Sequence, residues 1–216
     1  GVTSNLACIS VLSALSCPNE RTIVFENHKN IVNLGSTYYH PQSAGGVREP
    51  MYYQTASGLE KVLQLVEKGE ELSEENLYGL TKDYLGKRLF YLPSEPVKSS
   101  DYLEYYLERE AVRTMECLER LSDMVMVDTS AAPLASSRKI LQQVDLVVVN
   151  LNQNLPLLSH FFRNYSSIQE KAFYLIGNYD GKSELTKSAI MKRFHIPGAK
   201  IGTIPHDTGF SDAMSR

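Results

Sequence analysis

Short apolar segments recur along this chain, each followed by a helix-patterned stretch, and that alternation limits the fold more than any other feature. Thr22-Ile23-Val24-Phe25 follows the polar turn Cys17-Pro18-Asn19-Glu20-Arg21, Arg88-Leu89-Phe90-Tyr91-Leu92-Pro93 is closed by proline, and Met124-Val125-Met126-Val127-Asp128 ends in an acid. Asp145 to Val149, Ala172 to Ile176 and Lys200 to Ile204 continue the series. A strand that is apolar throughout is buried on both faces, as in a parallel sheet covered by its own crossover helices. Helices are expected over 3–16, with Leu6, Ile9, Leu12 and Leu15 turned inward, over 57–68, and over 73–84 with Ser73 as N-cap. Others are expected from Asp101 to Leu121, with Leu103, Leu107, Met115 and Leu118 on one stripe, after Pro133 to Gln142, over 155–166 and over 184–194. The stretch Gln42 to Pro50, with Gly45-Gly46, reads as a loop. The expected architecture is a single α/β domain over residues 1–216, with a mostly parallel, doubly wound sheet between two helical layers.

Composition narrows the function classes. With 216 residues and 43% hydrophobic content the chain can bury a full core. A net charge of −3 gives no general drive toward nucleic acid. Only Lys182, Lys187, Lys192, Arg193 and Lys200 gather, and they read as a solvated helix face, so a nucleic-acid partner is not expected. No apolar run approaches the ~20 residues of a membrane span. Cys8, Cys17 and Cys117 show no metal or redox spacing; Cys8 and Cys117 are expected to pack as small apolar groups, which suits a reducing cytoplasm. The thirteen tyrosines, among them Tyr38-Tyr39, Tyr52-Tyr53 and Tyr105-Tyr106, read as core and interface residues.

In open α/β sheets ligands bind beyond the carboxyl ends of the strands, so the strand-end residues carry the functional reading. Asp128 suits an acid that holds Mg2+ through water, or a helix-capping acid. His28 reads as a strand-end surface histidine or as a metal or catalytic group, with no second ligand at fixed spacing. Asn178 is either a base contact or a turn-forming asparagine. At the other end of the chain, Gly1-Val2-Thr3-Ser4 before a helix matches the back half of a phosphate-binding loop, G-x-x-x-x-G-K-[ST]. Gly1 falls on the last glycine, Val2 on the lysine and Thr3 on the Mg2+-binding hydroxyl; a glycine ahead of such a helix is also an ordinary capped start. If the motif is real, a first strand and the front of the loop are expected ahead of Gly1.

Taken in order, Gly1-Val2-Thr3-Ser4, Val24-Phe25-Glu26-Asn27-His28 with Asn33-Leu34, Asp128-Thr129-Ser130-Ala131, Asn178-Tyr179-Asp180 and Ile204-Pro205-His206-Asp207 resemble the MinD/ParA group of deviant P-loop ATPases, including its TadZ/CpaE-like branch. The corresponding family segments are G-K-T-T, V-V-D-x-D-x-x-x-x-N-L, D-x-P-x, N-x-[FY]-D and I-P-[YH]-D. The resemblance implies ATP or ADP bound by Gly1, Val2, Thr3, Ser4, Asn178, Pro205, His206 and Asp207, with Mg2+ on Thr3 and Asp128. It implies a homodimer joined across the nucleotide through 1–4, 26–34 and 128–133, and further protein partners in a positioning or assembly machinery. Glu26 and His28 fall on the catalytic acid pair, and a neutral histidine cannot orient water as an anion. Val2 removes a cation whose pairing at ~4 Å is worth about 4 kcal/mol at an effective dielectric near 20. The leading expectation is therefore a degenerate, weakly hydrolysing scaffold. The alternatives are a working Mg2+-dependent ATPase of the same family and a nucleotide-independent interaction module.

Overall fold

The computed structural model describes residues 1–29, 33–38, 58–94, 99–129 and 134–209. The loop expected at 42–50, Tyr39, Tyr52-Tyr53, and Ser130 to Pro133 of the switch-like segment lie outside the described residues. In chain order the elements are α1 (Val2–Ser16), β1 (Thr22–Glu26), α2 (Leu34–Tyr38), α3 (Gly58–Lys68), α4 (Glu74–Gly79), β2 (Lys82–Asp83), β3 (Leu89–Tyr91), α5 (Ser100–Leu121), β4 (Met124–Asp128) and α6 (Ala135–Gln143), followed by β5 (Val147–Leu151), α7 (Leu155–Asn164), β6 (Ala172–Tyr179), α8 (Lys187–Phe194) and β7 (Ile201–Pro205). The mixed α/β class and the mostly parallel pairing follow the sequence pattern. The chain divides into two compact units, Val2–Gln143 and Val144–Arg216, the latter grouped with Gly1.

In the first unit the strand order is β2-β3-β1-β4. β1 runs parallel to both β3 and β4, and β2 pairs antiparallel with β3 at the edge. All five residues of β1 are buried, so both its faces are covered, as its unbroken apolar run requires. α5 buries Leu103, Leu107, Met115 and Leu118 as expected, and Ala111 joins them. Ser99 caps it by accepting from the Tyr102 N–H, while Ser73 caps α4 by accepting from the Asn76 N–H.

Two expectations fail here for identifiable reasons. α1 forms, but its inward face is Ala7, Ser10 and Ala14, whereas Leu12 and Leu15 are 62% and 52% exposed. Every face of this helix carries apolar residues, so periodicity could not select one, and small side chains bring its axis close to the sheet. Ala7 and Ala14 pack with Val24, Leu34, Leu89 and Tyr91, with Leu6, Val11 and Met126 alongside. Cys8 consequently faces outward and is exposed, not packed as a small apolar group. The helix expected over 73–84 stops at Gly79, and Lys82 and Asp83 form β2 instead. A tight turn completes that hairpin: the Asp83 carboxylate accepts from the Leu85 and Lys87 N–H groups at 3.1 and 2.7 Å, and Gly86 and Lys87 take left-handed φ values of 56° and 67°.

In the second unit β5, β6 and β7 form a parallel sheet in that order. Ala172, Tyr174 and Ile176 alternate inward along β6 and pack with Leu158 of α7, Ile190 of α8, Ile196 and Ile201. Phe162 of α7 stacks on Phe194 of α8 with centroids 4.5 Å apart. Among the described residues no helix is long and apolar enough to cross a membrane.

Candidate functional site

The parallel register of the first unit sets Glu26 directly beside Asp128. Side chains alternate along a strand, so these two acids share the face that Val24 and Met126 turn toward α1. His28 follows two residues after Glu26, and ligand-capable atoms of Glu26, His28 and Asp128 all lie within 4.8 Å of one another. All three side chains are buried, Asp128 to 1% exposure and Glu26 to 3%. His28 is therefore not a surface histidine: Glu26 stands two residues before it, and Asp128 comes from the neighbouring strand.

The two carboxylates are held very differently. Glu26 Oε1 accepts the Leu34 N–H at 2.7 Å, at the start of α2, and Oε2 accepts the Tyr91 hydroxyl at 2.8 Å. Burial pushes the Glu26 carboxyl up, against those two hydrogen bonds and the attraction of His28. Neither oxygen of Asp128 receives a hydrogen bond from the described residues, and His28 Nε2 stands 3.4 Å from its Oδ2. Burial opposes a charged imidazole, but the facing Asp128 and Glu26 outweigh it and raise His28 above its ordinary value. The facing carboxylates thus favour the charged form of His28 beyond what an ordinary histidine experiences.

A supporting shell surrounds this cluster. Tyr91 packs with Tyr38 and Tyr84, and burial raises its hydroxyl far above the usual tyrosine range. Ser10 Oγ donates to the Ala7 carbonyl and so accepts from the Tyr38 hydroxyl at 2.6 Å. Asn27 Nδ2 donates to Ser137 Oγ at 2.8 Å, tying the end of β1 to α6, and Lys29 pairs with the buried Glu60 at 3.1 Å. None of Tyr91, Ser137 or Glu60 was singled out from the sequence. Tyr91 carried no strand-end signal, because the apolar run continues through Leu92 to Pro93.

The remaining predicted residues fall in two places. Thr3 and Ser4 stand in the first turn of α1 with Val2 at its first position, and Gly1 precedes it. No hydrogen bond joins Thr3 to Asp128. In the second unit, Tyr179 pairs with Pro205, so the ends of β6 and β7 bring Asn178 beside Pro205, His206 and Asp207. Asn178, Pro205, His206 and Asp207 are exposed, and Asn178 takes a left-handed φ of 48° where the register shifts between Ile176 and Tyr179. Gln153, unnoticed in the sequence, organises this edge: Nε2 donates to the Asp180 and Leu185 carbonyls and Oε1 accepts the Asp180 N–H.

Several solved structures are similar to this chain in fold. A ParA family ATPase from Chlorobium tepidum TLS superposes with a TM-score of 0.69 over 98% of this chain and 81% of its own, at 15% identity. The fold is of the MinD/ParA type. The septum site-determining protein MinD from Pyrococcus horikoshii OT3, complexed with Mg-ADP, gives a TM-score of 0.64 at 12% identity, covering 99% of this chain and 80% of that one. A MinC:MinD cell division complex from Aquifex aeolicus gives 0.62 at 13% identity, over 100% of this chain and 81% of that one. No family profile matches the sequence, and no curated protein matches it. Within this MinD/ParA-type fold, a buried carboxylate that receives no hydrogen bond from the described residues, at the end of β4, is a fitting place for a cation. Val2 at the head of α1 offers a phosphate no charge.

Proposed function

We propose that the chain is a MinD/ParA-like nucleotide-binding protein with a degenerate phosphate loop, acting as a positioning or assembly scaffold with weak or no ATP hydrolysis. The observation that carries this reading is Asp128, buried and without a hydrogen bond from the described residues, at a strand end on the face that α1 covers. In this assignment Thr3 and Asp128 hold Mg2+, the N–H groups of Gly1 to Ser4 take the phosphates, and Asn178, Pro205, His206 and Asp207 take the adenine. Bound Mg2+ neutralises the β- and γ-phosphate oxygens. Hydrolysis is weak because Val2 supplies no cation and because His28, paired with Asp128, presents no free anion to orient water. The chain works as one domain, as a homodimer in the cytoplasm, where Cys8, Cys17 and Cys117 stay free thiols, and its other partners are proteins.

Calorimetric titration of Mg-ATP and Mg-ADP into the full-length protein, followed by a turnover assay, tests the proposal. Micromolar binding with turnover near background is the expected result. Steady turnover abolished by Asp128→Ala would make the protein a working ATPase. No heat, with a melting temperature unchanged by millimolar nucleotide, would make it a nucleotide-independent module.

A further inference from the structure

We infer that Glu26, His28 and Asp128 form a binding site for a divalent transition cation of the zinc class, which shares Asp128 with the proposed Mg2+ site and would be filled in the absence of nucleotide. The donor set is one imidazole nitrogen and two carboxylates, with ligand atoms converging within 4.8 Å from adjacent parallel strand ends. Asp128 supplies the independent observation: at 1% exposure it is a carboxylate with neither oxygen hydrogen-bonded by the described residues. Burying such an anion is costly unless a cation compensates it.

The spacing of the ligand atoms leaves room for a shared cation as well as for the ion pair. A charge-assisted N–H···O contact closes to about 2.7–2.9 Å. His28 Nε2 and Asp128 Oδ2 are 3.4 Å apart. That separation is what two ligands each about 2.0–2.1 Å from a tetrahedral cation adopt, roughly 3.4 Å. Glu26 is prepared in the same sense. Each of its oxygens accepts one hydrogen bond, from the Leu34 N–H or the Tyr91 hydroxyl, and keeps a further lone pair free for a metal. Such outer contacts fix a ligating carboxylate in orientation. The imidazole favours zinc, cobalt or nickel over Mg2+, which favours six oxygens and retains its waters. Three protein ligands leave a fourth position for water or an exogenous donor.

The test is a titration of Co2+ into the metal-stripped full-length protein without nucleotide, so that its failure leaves the nucleotide reading standing. The expected result is visible d–d absorption of four-coordinate Co2+, displaced by Zn2+ and persisting in excess Mg2+. The bands should vanish in His28→Ala and in the near-isosteric Asp128→Asn, both checked for folding by circular dichroism. Tyr91→Phe, which removes only the contact that orients Glu26, should weaken apparent affinity about 10- to 100-fold. A variant with Cys8, Cys17 and Cys117 all replaced by serine should keep the bands. Absence of the bands from the parent protein, their survival in a folded His28→Ala or Asp128→Asn, or their loss in the cysteine variant would each overturn the site.

Discussion

At the ends of β1 and β4 the side chains are fixed and the charges buried, whereas at the ends of β6 and β7 the predicted contacts are exposed and it is the backbone that is fixed. Glu26 is gripped on both oxygens, Asp128 and His28 face each other, and Tyr91, Tyr38 and Ser10 form a second layer behind them. Asn178, His206 and Asp207, by contrast, stand in solvent on strand ends held by Gln153 and by a β-bulge. The first region has the construction of a chemical centre, where low dielectric makes each charge matter. The second has that of a recognition edge, where a rigid main chain presents adaptable side chains.

The sharpest way to break this contrast is to remove the anchor of the buried region. Glu26→Ala deprives the Leu34 N–H and the Tyr91 hydroxyl of their acceptor, and each buried donor left unsatisfied costs about 1–3 kcal/mol. The sum, roughly 2–6 kcal/mol, should appear as a large drop in the urea midpoint. Glu26→Gln keeps the shape and one acceptor oxygen, so it should lose about half as much. An alanine variant within 1 kcal/mol of the parent would mean that water or a side-chain rearrangement replaces the carboxylate, and that the region is less rigid than its geometry implies.

A smaller effect is expected at the exposed edge. Gln153→Ala removes three hydrogen bonds to the segment 180–185, each with a net worth of about 0.5–1.5 kcal/mol. The loss should be local. Amide exchange at Asp180, whose N–H donates to Gln153, should accelerate by about tenfold or more, while protection of β1 and β4 stays unchanged. Faster exchange throughout the molecule would show that Gln153 supports global stability and would erase the distinction between the two edges.

The same contrast explains what could be read from the sequence. Strand ends were legible because an apolar run stopped by a polar residue reports burial directly; Asp128 and His28 were weighed on that ground, and Glu26 received its role from the family resemblance. Their convergence was not legible, because it depends on the register between β1 and β4, which no local spacing encodes. The inward face of α1 was misread for a different reason. Leu12 and Leu15 have the hydrophobicity of core residues, but close approach of the helix to the sheet selects Ala7, Ser10 and Ala14 by size. β2 escaped notice because two polar residues, Lys82 and Asp83, carry no burial pattern at all; the hairpin turn holds them in place.

Asn178 gives the smallest effect and tests the exposed edge most selectively. Its φ of 48° lies where alanine pays a steric penalty of roughly 1–2 kcal/mol, glycine none, and asparagine an intermediate amount. If its role is to shape the bulge, Asn178→Ala should lower stability by about 1 kcal/mol, and Asn178→Gly should stay within about 0.5 kcal/mol of the parent. A nucleotide contact made by the side chain follows a different rule. Both substitutions remove the amide, so both should weaken Mg-ADP affinity alike, whatever they do to stability. Calorimetric titration beside urea unfolding on the two variants therefore separates conformation from recognition. Affinity that follows stability, falling in the alanine variant and kept in the glycine variant, would assign Asn178 to the architecture of the strand end. Equal losses of affinity with unequal stabilities would give the exposed edge a direct part in binding.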